Sequence, residues 1–246
     1  MAQIPLGPVI IEGISLCFIT FLTILIFQRF FQRKLKVVLL LGFGFFFLCI
    51  GFSFSFTGRL SVYLSNQSGI YTHPWTVASL VFTLIAMLFI LLFSHYLFFK
   101  DKRYLVVLIV IPTGIDFGSL LYQILFYPVY SPGNYGTTFY FYSALYHAFV
   151  SILIFLTIFI FAFKSSRTES DLLRRRSAQA IAIYGLLAFL ALLVFAWDGY
   201  ASEDSNKYLF TYYLGWSCIL TSQIIAYVGY LQPKWFKNLL LRHAQQ

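Results

Sequence analysis

The 246-residue chain is 60% apolar, 21% aromatic and only 10% charged, with a formal net charge of +9 and a mean hydropathy of +0.82. A soluble domain is roughly half apolar and a quarter charged, so a water-soluble fold has nowhere to hide this set of side chains. At about 20 residues per membrane span, seven spans and their connections use up the length, which leaves no room for a soluble catalytic module among these residues.

The first residues, Met1 to Gly13, lack the basic n-region and small-residue cleavage site of a secretory signal, so the first apolar run is expected to stay as a mature helix. Apolar stretches long enough to cross a bilayer place helices near 8–27, 37–56, 76–99, 104–127, 138–163, 178–197 and 208–230. Transmembrane strands do not fit, because barrel strands alternate in polarity and runs such as Leu105 to Ile111 or Ala144 to Phe163 do not. The expected fold is therefore all-α: a single polytopic domain, 1–246, built as a seven-helix transmembrane bundle. Cys17, Cys49 and Cys218 lie inside apolar runs and read as small hydrophobes, with no metal-ligand spacing.

The connections sort by charge. Arg29, Arg33, Lys34 and Lys36 follow the first helix, and Lys100, Lys102 and Arg103 the third. Lys164, Arg167 and Arg174 to Arg176 follow the fifth, and Lys234, Lys237 and Arg242 the seventh. Fifteen of the seventeen Lys and Arg thus share one side, leaving Arg59 and Lys207 for the other. The positive-inside rule then predicts an amino terminus outside and a carboxyl terminus inside, in a multi-pass protein of the cell membrane, with a prokaryotic source expected. The positive charge abuts helix ends at an anionic leaflet and gives no reason to expect nucleic acid as a partner. The opposite connections, Ser61 to Trp75 and Tyr127 to Gly136, are turn-rich and aromatic, which suits either an interfacial belt or the rim of a pocket. Asn66-Gln67-Ser68 matches a glycosylation acceptor on that side.

Within the spans the informative groups are Glu12, Asp116 and His147, with His95 near the inner end of the third helix and Asp198 at the outer end of the sixth. An Asp at mid-helix costs about 2.5 to 3.5 kcal/mol on insertion scales, so such groups face the protein and find partners. Asp116 lies roughly 18 Å from the inner start of its helix and His147 roughly 14 Å from the outer start of the next, so the two depths agree. A carboxylate to imidazole bond is available, as is the simpler reading that each bonds a nearby hydroxyl. Helical phase gathers Asp116, Ser119 and Gln123 within about 60°, Tyr140, Ser143, His147 and Ser151 within about 80°, and Tyr212, Trp216, Gln223 and Tyr227 within about 60°. These stripes describe either an outer ligand pocket walled by Asp116, Ser119, Gln123, Tyr140, Ser143, His147, Tyr212 and Trp216 or polar packing between helices. Gly114 and Gly118 form a GxxxG pair on the opposite side of the fourth helix, which suggests a helix buried on both faces or a homodimer contact.

Several activities lose their chemistry. Residues 208–230 hold no lysine for a retinal Schiff base, and His95 and His147 differ in depth by roughly 15 Å, too far to ligate one haem. Nucleophile elbows, phosphate loops and zinc spacings are missing, so no catalytic residue, metal or cofactor is expected. G-protein-coupled receptors share the orientation, but their Asp-Arg-Tyr signature is interrupted in Asp101-Lys102-Arg103-Tyr104, and Leu231-Gln232-Pro233-Lys234-Trp235 replaces their Asn-Pro-x-x-Tyr.

A closer resemblance starts at Ser170-Asp171-Leu172-Leu173-Arg174-Arg175-Arg176-Ser177-Ala178-Gln179-Ala180. This basic approach to the sixth helix, with Gly229-Tyr230-Leu231-Gln232-Pro233-Lys234-Trp235-Phe236 at the far end, resembles the seven-helix amino-terminal sensor regions of prokaryotic histidine kinases. About ten residues follow that juncture, and no kinase module is among them. What the resemblance implies is a free-standing, non-enzymatic sensor that answers a small molecule or membrane state and acts through a cytoplasmic partner at Arg174, Arg175 and Arg176. The sixth helix is the expected mover. The alternatives are a membrane-embedded carrier or proton-handling subunit built on Asp116 and His147, and a structural subunit of a membrane complex.

Overall fold

The computed structural model describes residues 6–65, 72–98, 103–126, 136–201 and 210–244. Among the described residues every element is helical: α1 (Leu6–Arg33), α2 (Lys36–Ser65), α3 (Thr72–Phe98), α4 (Arg103–Phe126), α5 (Gly136–Thr168), α6 (Leu172–Ala201), α7 (Phe210–Ala226), a π turn (Tyr227–Leu231) and α8 (Lys234–Ala244). Seven of these helices are long and apolar enough to cross a membrane, α7 together with its π turn making the seventh span. The chain is thus a multi-pass membrane protein by the length and composition of its helices.

Most helices outrun the apolar stretches that announce them, because a helix satisfies its own backbone and can project into the headgroup layer. α6 begins at Leu172, six residues before its apolar run, and carries the three arginines in its first turns. Asp171 caps it: its Oδ1 accepts from the Arg174 N–H at 2.7 Å, which satisfies one of the donors a helix start leaves free. α2 runs on through Arg59 to Ser65, so Arg59 belongs to a helix and not to a loop.

Neighbours in sequence pack together, α1 also packs on α7, and α3 packs directly on α5. Six helices therefore close a ring in the order α1, α2, α3, α5, α6, α7, with α4 flanking the seam between α3 and α5. Inside the ring Ile19, Leu22, Phe45, Leu84, Ile90, Ile154 and Ile158 are fully enclosed. Four side chains close the basic end, where Tyr230 of the π turn meets Phe93 at 5.3 Å, Tyr184 at 5.8 Å and Phe45 at 6.2 Å between ring centroids.

The outlying place of α4 corrects the expectation that it is buried on both faces. Gly114, Ile115 and Gly118 are exposed, and a side chain added at either glycine would meet nothing within 4 Å. Asp116 points the other way and is 0% exposed. The Gly114 and Gly118 pair that suggested a second buried face borders open space instead, among the described residues.

Candidate functional site

Two polar clusters stand in the half of the bundle away from the basic end. The first is the seam between α4 and α5. His147 Nδ1 lies 2.9 Å from Asp116 Oδ2, the geometry of an imidazole N–H donating to a carboxylate. Their side chains are 6% and 0% exposed, so water does not compete for this bond. One turn on, Ser119 and Ser143 hydroxyls meet at 3.1 Å, and Gln123 Nε2 donates to Ser143 Oγ at 2.5 Å. One turn the other way, the Tyr146 hydroxyl donates to the Pro112 carbonyl at 3.2 Å. Pro112 sits inside α4 and has no N–H, which deprives the Leu108 carbonyl of its helical partner. Asp116 Oδ1 and Ser151 Oγ, both buried, have no hydrogen-bond partner among the described residues. In hydrocarbon an unsatisfied polar atom is costly, so this seam holds an interaction capacity that the described residues do not use up.

The second cluster joins α1, α2 and α7. Glu12 is 2% exposed. Its Oε2 accepts from the Ser55 hydroxyl at 2.9 Å, and its Oε1 accepts a short hydrogen bond from the Tyr212 hydroxyl. Arg59 Nε approaches Oε1 at 3.4 Å, while its guanidinium stands 5.7 Å over the Tyr212 ring. Opposite charge and three donors thus offset the burial of the carboxylate. Trp216 packs edge-on against Phe52 at 5.4 Å and Phe195 at 5.8 Å, one turn below Tyr212. At the rim Asp198 accepts from the Thr211 hydroxyl, tying α6 to α7.

The eight residues expected to wall one pocket therefore divide. Asp116, Ser119, Gln123, Ser143 and His147 come together on the α4–α5 seam. Tyr212 and Trp216 stand with Glu12, on a helix that packs against α1 and α6. The side chain of Tyr140, the Asn66-Gln67-Ser68 motif, Lys207 and the Tyr127 to Tyr135 connection lie outside the described residues. Sequence reasoning singled out Glu12 but gave it no partner. The signal available was depth, since Glu12, Ser55, Arg59 and Tyr212 all lie within a few turns of the same end.

An open groove of about 660 Å³ also lies along α1 and α2, lined by Val9, Gly13, Cys17, Phe21 and Phe56 among others. It is apolar, faces outward and includes none of the polar residues above. At the basic end Arg174 and Arg176 are exposed and Arg175 is half-buried, with Arg176 donating to Gln179 Oε1 at 3.0 Å. Among the described residues no group of three His, Cys, Asp or Glu comes together. Comparison with protein families, with curated proteins and with solved structures finds no match to this chain.

Proposed function

We propose that this chain is a receptor-like sensor of a cell membrane, with its amino terminus outside and its carboxyl terminus inside, that passes a stimulus to a separate cytoplasmic partner. The observation that carries the reading is the α4–α5 seam: the span with the smallest buried share, 28% against 33 to 44% for the other six, is tied to its neighbour by side-chain hydrogen bonds around a buried acid and base. A ligand or a change of membrane state that offered one of these groups another partner would shift the balance between two helix arrangements by its differential affinity for them. The exposed Arg174 and Arg176 supply a cationic surface for an acidic cytoplasmic partner. The open Gly114 and Gly118 face leaves room for a second copy. The kinase-sensor resemblance and the fifteen-to-two division of basic residues support the same arrangement.

A photo-crosslinking residue at position 174, expressed in cells, tests this. We expect capture of a cytoplasmic protein whose yield changes at least severalfold in Asp116→Asn. No capture, or capture indifferent to Asp116, overturns the reading.

A second reading, a proton-handling membrane subunit, is favoured by one observation: among the described residues one carboxylate oxygen of Asp116 has no partner while the other meets His147. Acid and base at this depth are the usual furniture of proton relays. Proton flux into liposomes carrying the purified chain, lost in Asp116→Asn, would favour it over the sensor.

A further inference from the structure

The chain does not end at the seventh span. Gln232 takes a left-handed backbone, φ 44°, Pro233 follows, and α8 starts at Lys234. Only two residues separate the π turn from α8, so α8 begins where the seven spans leave the hydrocarbon. Its start is fixed there, because Gln232 Nε2 donates to Ser177 Oγ at 2.8 Å on the first turns of α6.

At about 100° per residue, Trp235, Leu239 and Phe236 fall within one arc of about 100°, which His243 shares, and Lys237, Lys234 and Asn238 fall within the opposite arc of the same width, which Leu241 shares. The protein does not bury the apolar arc: Trp235 is 55% exposed and Leu239 49%, while Phe236 is half-buried. Three facts favour one occupant. The helix sequence Lys-Trp-Phe-Lys-Asn-Leu-Leu-Leu-Arg-His-Ala contains no acid. The same end of the bundle presents Arg174 and Arg176 on α6, and Lys34 and Lys36 between α1 and α2, all exposed or half-exposed. A tryptophan beside lysines at the end of a span is the pattern of a headgroup boundary. A charge-complementary partner is therefore anionic, and its geometry is a plane level with the helix ends.

We infer, from the membrane spans alone and independently of the receptor reading, that α8 lies along the inner surface of the membrane, sinking Trp235 and Leu239 into the acyl boundary while Lys234 and Lys237 bind the headgroups of anionic lipids. Each lysine near an anionic surface contributes a factor of about five to the docked population, so the pair contributes about 25-fold. The Gln232 to Ser177 bond links that docking to the first turns of α6.

The test uses the full chain with Cys17, Cys49 and Cys218 replaced by Ala and Leu239→Cys carrying a fluorophore. It is reconstituted in nanodiscs of phosphatidylcholine alone or mixed with phosphatidylglycerol, whose lipids are brominated near the top of the acyl chain. Quenching should be strong in the mixed discs and fall in phosphatidylcholine discs. Lys234→Gln with Lys237→Gln should lower the docked-to-undocked ratio in the mixed discs by roughly an order of magnitude, with the helix content of the chain unchanged. Equal quenching in both lipids overturns the anionic recognition. No quenching in either, or protection of the label only when a soluble cytoplasmic fraction is added, overturns the membrane docking and makes α8 a protein-binding helix. Topology is read separately, by the reporter fusion described below.

Discussion

Replacing His147 with Ala strands Asp116, a carboxylate with 0% exposure that, among the described residues, has the imidazole at 2.9 Å as its one side-chain partner and no partner for its other oxygen. Leaving a buried carboxylate without the side chain that bonds it costs about 3 kcal/mol, the upper end for a lost hydrogen bond to a charged group. Asp116→Asn keeps the shape and one neutral hydrogen bond to His147, and loses only the difference between a charged bond and a neutral one, about 1 kcal/mol. In the double variant no charge is stranded, so the total should be about 2 kcal/mol rather than the sum of about 4. The coupling of about 2 kcal/mol lies inside the range of 0.5 to 3 found for groups in one hydrogen-bonded unit. Equilibrium unfolding of the full chain in mixed micelles, followed by helix content, measures all four corners of the cycle. Two results refute the reasoning: a double variant that matches the sum within about 0.5 kcal/mol, or a His147→Ala cost no larger than that of Asp116→Asn.

Tyr212→Phe removes a donor to the buried Glu12 carboxylate and should cost about 1.5 kcal/mol or more. Combined with Asp116→Asn it should be additive in the same assay, because the two carboxylates lie on different helix pairs; strong coupling would place them in one pocket after all. Gly185→Ala drives a methyl to 3.0 Å from Phe159 N and 3.1 Å from Phe155 O, and should lower stability by about 1 to 3 kcal/mol. Gly114→Ala and Gly118→Ala, with open space around them, should leave the monomer as stable or slightly more so. A reporter fused after Gln246 should read inside the cell and a cysteine at Ser68 should react with an impermeant reagent from outside; labelling at Ser68 only after lysis would invert the topology.

The spans were legible because hydrocarbon forces the same demand on twenty consecutive residues, so each is written as a continuous apolar run. Asp116 and His147 could be matched because one short connection joins their helices, which turns depth into contact. Glu12 and Tyr212 could not, since they are 200 residues apart and meet only because the ring closes α1 on α7. The pairing of Arg59 was hidden for a related reason: the apolar run stops near Phe56 while the helix continues to Ser65, so nothing in hydropathy ties this base to the buried Glu12. The π turn at Tyr227–Leu231 leaves no mark in hydropathy. Eleven residues are too few to signal a span, so the start of α8 reads in sequence as part of the Gly229 to Phe236 juncture, although the arcs of Trp235, Leu239 and Lys234, Lys237 carry the signal of a surface helix.

From the packing we propose α4 as a second candidate for motion beside α6. α6 carries Gly185, where α5 backbone comes within van der Waals distance, and it receives Gly229 of the π turn close against Ala180 and Ile181. Sliding it would break interdigitated contacts on two sides at once, which packed interiors resist. Among the described residues α4 packs mainly on α3 and α5 and leaves its glycine face open, so its displacement would exchange the seam's hydrogen bonds and the packing of Ile109 and Leu120. The four seam bonds at about 1 kcal/mol each sum to about 4 kcal/mol, a change of roughly 1,000-fold in the ratio of two arrangements. Locking that seam is the decisive perturbation. The Ser119 and Ser143 hydroxyl oxygens are 3.1 Å apart, so cysteines at both positions place sulfurs within reach of a disulfide with little backbone movement. Oxidised, Ser119→Cys with Ser143→Cys should make the crosslinking yield at position 174 independent of Asp116→Asn, and reduction should restore the dependence. If the locked chain still answers that substitution at its basic end, α4 does not move against α5 and the change travels through α6 instead.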